Sequence, residues 1–129
     1  MVKKKKKIVK VFIVDDSAFL RDRLITMLSE LKGIEIIGQA KGPIEAIKAL
    51  TKLKPDAVIL DIRMPGGNGI EVLKYIKNGR NPPLVIMFTN YSYPQYRKKC
   101  MDGGADFFFD KSTEFEKLTE VLKKLIKNP

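Results

Sequence analysis

Five side chains in this 129-residue sequence have the types and spacing to do chemistry together. Asp15 and Asp16 follow the β-branched run Ile8 to Val14, and Asp61 follows the apolar stretch Ala57 to Leu60. Thr89 closes the run Leu84 to Phe88, and Lys111 comes just after Phe107 to Phe109. Each stands where an apolar segment gives way to a turn, so the chemistry belongs to strand ends. Carboxylates brought within a few ångström repel one another, and a single ammonium offsets only part of that repulsion. A hard divalent cation held by a few oxygens, with several waters retained, resolves the conflict. That is the behaviour of Mg²⁺ rather than of a Ca²⁺ cage. Taken singly these residues say less. Asp15 or Asp16 alone would serve as a helix cap, Asp61 as a turn former, Thr89 as a strand-end hydroxyl, and Lys111 is one lysine among many. Only their joint placement is informative.

Composition narrows the chemistry further. The chain has no histidine, which removes Ser-His-Asp and Cys-His catalysis, His-ligated metals and a phosphohistidine of its own. Cys100 is the only cysteine. It fits a reducing compartment and excludes an intrachain disulfide, and it reads as helix packing rather than as a nucleophile. No G-x-G-x-x-G and no P-loop occurs. The net charge is +10, half of it in the run Lys3 to Lys7. Residues 1–7 read as a solvated basic tail, and nucleic acid is not expected as a partner. No stretch approaches the roughly 20 apolar residues of a membrane span, so a soluble cytoplasmic protein is expected.

The elements that must position these side chains alternate between two hydrophobic periods. Ile8–Val14, Ile34–Ile37, Ala57–Leu60, Leu84–Phe88 and Phe107–Phe109 read as buried strands. Between them, Leu20 to Leu31, Ile44 to Leu53, Ile70 to Ile76 and Tyr93 to Met101 recur at helical spacing, and a last helix runs from Phe115 to Leu125. Gly33, Pro55 and Gly103-Gly104 punctuate the helix ends, and Thr113 with Glu116 has the spacing of a capping box. Five βα units with crossover helices require a parallel sheet covered on both faces. The expected fold is α/β, a (βα)5 doubly wound five-stranded parallel sheet. In such sheets ligands sit at the carboxyl ends of the strands.

At those ends the sequence strongly resembles the receiver domains of two-component response regulators. The matching pieces are Val-Asp-Asp-Ser at 14–17, Leu-Asp-Ile-Arg-Met-Pro-Gly-Gly-Asn-Gly at 60–69, Phe-Thr-Asn at 88–90 and Gly-Ala-Asp-Phe-Phe-Phe-Asp-Lys at 104–111. The resemblance spans residues 8–127 and implies a flavodoxin-like, CheY-like fold with strand order 2-1-3-4-5. It implies Asp61 as the phosphorylated carboxylate, with Mg²⁺ positioned by Asp15, Asp16, Asp61 and the backbone carbonyl of Arg63. Thr89 and Lys111 would each donate to a phosphoryl oxygen. Thr89 and Phe108 would form the switch, and Arg63 and Tyr91 would tune the lifetime of the phosphoryl group by flanking the path of the hydrolytic water. The donor would be a sensor histidine kinase or a histidine phosphotransfer protein. The output surface would be the face of the fourth helix, fifth strand and fifth helix, roughly Tyr93 to Leu122.

The implied function is a stand-alone phosphoacceptor that catalyses only its own phosphorylation and dephosphorylation, not a conventional enzyme. Phosphoryl transfer asks mainly for positioning and charge neutralisation, which suits these residue types. Three positions depart from the family pattern: Lys111-Ser112 stands where Lys-Pro is usual, so no cis peptide is expected, Asn90 stands where a small residue is usual, and Phe108 lacks the hydroxyl found when Tyr fills that place. Crowding by Asn90 motivates the alternative, a phosphorylation-independent receiver-like binding module. An aspartyl-phosphate hydrolase would place a second Asp at 63, where Arg63 stands, and a flavin site would need a phosphate-wrapping loop that this sequence lacks.

Overall fold

The computed structural model describes residues 8–127, so the basic tail expected at residues 1–7 lies outside the described residues. The elements alternate strictly. They are β1 (Val9–Val14), α1 (Ala18–Ser29), β2 (Ile34–Ala40), α2 (Pro43–Leu50), β3 (Ala57–Leu60), α3 (Gly69–Lys77), β4 (Leu84–Thr89), α4 (Pro94–Asp102), β5 (Phe107–Asp110) and α5 (Phe115–Lys127). The five strands form one parallel sheet in the order β2-β1-β3-β4-β5, as the periodicity and the resemblance lead one to expect. β3, the most uniformly apolar strand, is central and buried at every residue.

Each face of the sheet carries its own core. On one side Leu24 and Leu28 of α1 and Leu118 and Leu122 of α5 pack on Val11, Ile13, Ile59 and Phe88. On the other, Ala46, Val72, Leu73, Ile76 and Cys100, from α2, α3 and α4, cover Phe12, Val58, Leu60 and Met87. Burial on both faces forces the sheet positions to be apolar regardless of alternation, which is why these strands read as continuous hydrophobic runs. Among the described residues no helix is long and apolar enough to cross a membrane.

The structure corrects several local expectations. β2 runs on to Ala40, because Val14 pairs with Ala40 and carries the ladder past Ile37. α2 stops at Leu50 with Thr51 as its C-cap, so Leu53 packs from the following turn rather than from the helix. The turn-rich segment after Asp61 folds into a short antiparallel ribbon, Arg63–Met64 against Gly67–Asn68. The capping box forms at α3, where Asn68 accepts from the Ile70 and Glu71 backbones and Glu71 answers the Asn68 N–H, not at Thr113 and Glu116. Ahead of α5 it is Asp110 that accepts from the Ser112 N–H, at 2.7 Å, and Glu114 that accepts from the Asp110 N–H, at 3.1 Å.

Candidate functional site

The parallel register puts the carboxyl ends of β1, β3, β4 and β5 side by side. Asp15 continues the β1 ladder, donating its N–H to Ala40 O at 3.0 Å, and Asp61 does the same to Val14 O at 3.0 Å. Both side chains are therefore held by sheet backbone, and both residues are buried, as is Thr89. Ser17, rather than either aspartate, caps α1 by accepting from the Leu20 N–H. That releases the adjacent carboxylates from any capping duty. Asp16 is exposed and has no hydrogen-bond or ion-pair partner among the described residues.

Lys111 closes the cluster. Its Nζ lies 2.5 Å from Asp15 Oδ2 and 2.8 Å from Asp61 Oδ2. The other oxygen of each carboxylate is used as well: Asp15 Oδ1 accepts from the Ser17 N–H at 2.9 Å, and Asp61 Oδ1 from the Ile62 N–H at 2.7 Å. Burial pushes the Asp15 carboxyl above its ordinary value even though Lys111 and the Ser17 N–H pull the other way. Burial also works against the Lys111 ammonium, but Asp61 and Asp15 outweigh it and hold its pKa above the usual lysine value. One cation thus serves two buried anions, and Asp16 adds a third negative charge beside them.

Oxygen atoms of Asp15, Asp16 and Asp61 all lie within 4.8 Å of one another. Every donor in that set is a hard carboxylate oxygen, with no imidazole or thiolate among them, so the residues fit a hard divalent cation such as Mg²⁺. Two residues that sequence reasoning missed shape the cluster from behind. A Cβ on Gly69 would meet the Asp61 carbonyl oxygen at 1.8 Å, and the Gly69 N–H donates to Ile62 O at 2.6 Å. Only glycine lets α3 start this close to the strand end that carries Asp61. Arg21 donates to the Asp15 carbonyl at 2.6 Å and to Gln39 at 2.7 Å, tying α1 and β2 to the acid-bearing turn. A glycine opening a helix soon after a strand-end acid is the signal that finds the first. Arg21 leaves no trace in the sequence.

The remaining expected residues gather around the cluster. Thr89 Oγ1 accepts from the Tyr91 N–H at 3.1 Å, which leaves its hydroxyl proton uncommitted. The Arg63 guanidinium sits 4.9 Å from the centre of the Tyr91 ring, so the two residues expected to flank the site also touch each other. Phe108 is buried, with the Arg97 guanidinium 4.8 Å over its ring. The Lys111–Ser112 peptide is trans. Ser112 Oγ donates to Asn90 Oδ1 at 3.1 Å, and Ser92 donates to Asp110. These bonds join the β4–α4 and β5–α5 loops and occupy the Asn90 amide oxygen with a partner outside the carboxylate cluster.

A family model described as the response regulator receiver domain matches residues 11–123. The sensory transduction protein LytT of Bacillus anthracis is 36% identical over 115 residues, covering 89% of this chain and 46% of LytT. The chain thus spans about half the length of curated relatives of this kind. Among solved structures, the response regulator domain of Thermotoga maritima CheB superposes with a TM-score of 0.81 at 32% identity, covering 94% of this chain and 95% of that one. CheY of Borrelia burgdorferi, solved as a CheX-CheY-BeF3-Mg²⁺ complex, gives 0.76 at 30% identity, covering 88% and 89%.

Proposed function

The chain belongs to the response regulator receiver domain family of two-component systems, and from that premise we propose that it accepts a phosphoryl group on Asp61 and relays the signal through a protein surface. The observation that carries this reading is the pair of buried carboxylates at the strand ends, Asp61 and Asp15, bridged by Lys111, with Asp16 open to solvent beside them. A carboxylate oxygen of Asp61 attacks the phosphorus of the donor. One O–P bond forms, and the P–N bond of a phosphohistidine, or the P–O bond of a small phosphodonor, breaks with its electron pair leaving on the donor. Lys111 transfers a hydrogen bond from the Asp61 carboxylate to an incoming phosphoryl oxygen. Thr89, whose hydroxyl proton is uncommitted, turns to donate to another. Asp15, Asp16, Asp61 and the Arg63 carbonyl would hold Mg²⁺, which when bound neutralises charge on the carboxylates and the phosphoryl oxygens. The solved complex of Borrelia CheY with BeF3 and Mg²⁺ supports the same ligand chemistry in a relative.

The donor is a sensor histidine kinase or a histidine phosphotransfer protein, since this chain has no histidine to phosphorylate itself on. A cytoplasmic location follows from that role. The chain catalyses its own phosphorylation and dephosphorylation and nothing else. Its receiver domain comprises residues 8–127. Movement of Thr89 toward the phosphoryl group changes the support under Phe108, and the output face of α4, β5 and α5 reads out that change as a population shift. The Arg63–Tyr91 pair shields the line of attack of water on phosphorus. The rival reading as a phosphorylation-independent module rested on crowding by Asn90. With that amide oxygen engaged by Ser112, its motive is weak.

Intact-mass measurement after incubation with a small phosphodonor tests the proposal. One phosphoryl adduct should appear with Mg²⁺ or Mn²⁺ and be absent from Asp61→Asn. Equal labelling in the presence of a chelator would sink the role given to the acid cluster.

A further inference from the structure

We propose that Arg21 is a positioning residue for the divalent cation: it fixes the Asp15–Asp16 peptide so that the Asp16 carboxylate stays beside those of Asp15 and Asp61. The proposal rests on the reading of these three acids as the Mg²⁺ site of a phosphoacceptor. Asp16 is the acid that needs support. Asp15 and Asp61 are buried, and each has one carboxylate oxygen bound by Lys111 and the other by a backbone N–H. Asp16 is exposed and lacks any such partner among the described residues. Its carboxylate nevertheless lies with the other two, one oxygen of each acid within 4.8 Å of the rest. With no contact of its own, it is aimed by the backbone on either side.

That backbone is braced at several points. Ahead of Asp16, the Asp15 N–H donates to Ala40 O at 3.0 Å. Beyond it, the Ser17 N–H donates to Asp15 Oδ1 at 2.9 Å, and Ser17 O accepts from the Arg21 N–H at 3.0 Å. The remaining group is the Asp15 carbonyl, part of the peptide plane that leads directly into Asp16, and it accepts from Arg21 Nη1 at 2.6 Å. The same guanidinium donates through Nε to Gln39 Oε1 at 2.7 Å. Gln39 precedes Ala40 and pairs in register with Ile13, so one rigid fork ties the acid-bearing turn to the edge strand β2. A lysine, with one ammonium on a flexible stem, has no such fixed span. Both acceptors are neutral, so the bonds do not serve charge pairing. Nor does the position serve the helix: Arg21 closes the first turn of α1, where a cation opposes the helix dipole. What the placement serves is the turn. Groups that orient metal ligands without touching the metal set affinity by about ten- to a hundredfold.

Calorimetric titration of the full chain with Mg²⁺ tests it, with thermal unfolding in chelator recorded for every variant. Arg21→Met should weaken Mg²⁺ binding about tenfold. Gln39→Leu, which removes the anchor and changes no charge, should weaken it a few-fold, and so should Arg21→Lys, which keeps the charge but loses the fork. The sign is diagnostic, because by Coulomb's law alone the loss of a guanidinium beside a dication site should tighten binding. Arg23→Met is the control. It removes the same charge from the same helix, where the guanidinium lies 4.7 Å over the Phe115 ring, and should not weaken Mg²⁺ binding. The losses in Arg21→Met and Gln39→Leu should fail to add, since both break one brace. A merely structural role would lower the melting temperature in chelator and leave the Mg²⁺ affinity of the folded chain unmoved. The proposal is overturned if Arg21→Met and Gln39→Leu bind Mg²⁺ as tightly as the parent, or if Arg23→Met weakens binding as much as Arg21→Met. Should Arg21→Met not fold, Gln39→Leu and Arg21→Lys decide by the same criterion. Unchanged affinity leaves the phosphoacceptor reading standing, whereas a parent chain that binds no Mg²⁺ would overturn that reading and this proposal together.

Discussion

Replacing Lys111 with methionine in the presence of a chelator is expected to destabilise the fold far more than removing any other lysine described here. The Lys111 side chain is 11% exposed, and its partners Asp15 and Asp61 are 4% and 6% exposed, at 2.5 and 2.8 Å. At an effective dielectric of about 20, each contact is worth roughly 6 kcal/mol of Coulomb attraction before desolvation is counted. Burying the ammonium costs several kcal/mol, so most of that attraction is already offset in the native state. Removing the cation leaves two buried carboxylates facing each other, and the net loss for such a broken pair is about 3–5 kcal/mol. Taking about 2.1 cal/mol/K per residue for the unfolding entropy, a domain of this length should melt roughly 10–20 °C lower. The pair Lys117–Glu114 is the control. It has the same 2.8 Å separation as Lys111–Asp61, but its lysine is 59% exposed, so Lys117→Met should cost no more than about 1 kcal/mol. Thermal unfolding followed by circular dichroism measures both. Adding Mg²⁺ should recover much of the loss in Lys111→Met, because a cation that binds only the folded site stabilises by mass action. If Lys111→Met melts within about 2 °C of the parent in chelator, well inside the shift expected for a broken buried pair, the electrostatic account of the site is wrong.

Gly69→Ala should destabilise by more than about 3 kcal/mol, since a clash with strand backbone has no flexible side chain to relieve it; urea unfolding midpoints measure this, and a near-neutral result would refute the close approach of α3 to Asp61. Arg63→Ala/Tyr91→Ala should shorten the life of the Asp61 phosphoryl group a few-fold, the scale of an exposed cation–π contact of about 0.5–1 kcal/mol, and decay no faster than the parent's would dismiss the shielding role. With a phosphoryl mimic bound, backbone amide shifts should concentrate at Thr89–Tyr91, around Phe108 and along α4 and α5, whereas changes confined to α1 and α2 would refute the output face. Burial pushes the Cys100 thiol up to about 11, so the folded chain should resist thiol reagents at neutral pH. The folded state holds that proton after the unfolded chain, with a thiol near 8.5, has released it. This contribution to stability is therefore complete below about pH 8.5 and is lost as pH rises toward 11; unfolding midpoints that stay flat over that window would contradict it.

Much of this architecture is legible without coordinates because it depends on local rules. A strand buried on both faces must be apolar along its length, as Ala57 to Leu60 is, so the residue after it is conspicuous when it is Asp61. Glycine and proline mark element ends through their own backbone preferences, and right-handed crossovers leave few ways to wind five βα units. The boundaries that periodicity alone misplaces differ for the complementary reason. β2 extends to Ala40 because β1 is there to pair with it. Thr113 and Glu116 have capping-box spacing, but ahead of α5 the bonds that form run from the Ser112 N–H to Asp110 and from the Asp110 N–H to Glu114.

The site divides along the same line. The amino-acid sequence by itself determined which groups stand at strand ends: Asp15, Asp16, Asp61, Thr89 and Lys111, each announced by the apolar run before it. Tertiary structure alone decided that Lys111 bridges Asp15 and Asp61, that Arg63 stacks on Tyr91, that Ser112 takes up Asn90 and that Gly69 must have no side chain. Those facts depend on register between strands and on loop paths that bring together residues as much as 96 positions apart. Hydrophobic period is a property of each segment, whereas a hydrogen bond between segments exists only once the sheet has set the distance between them.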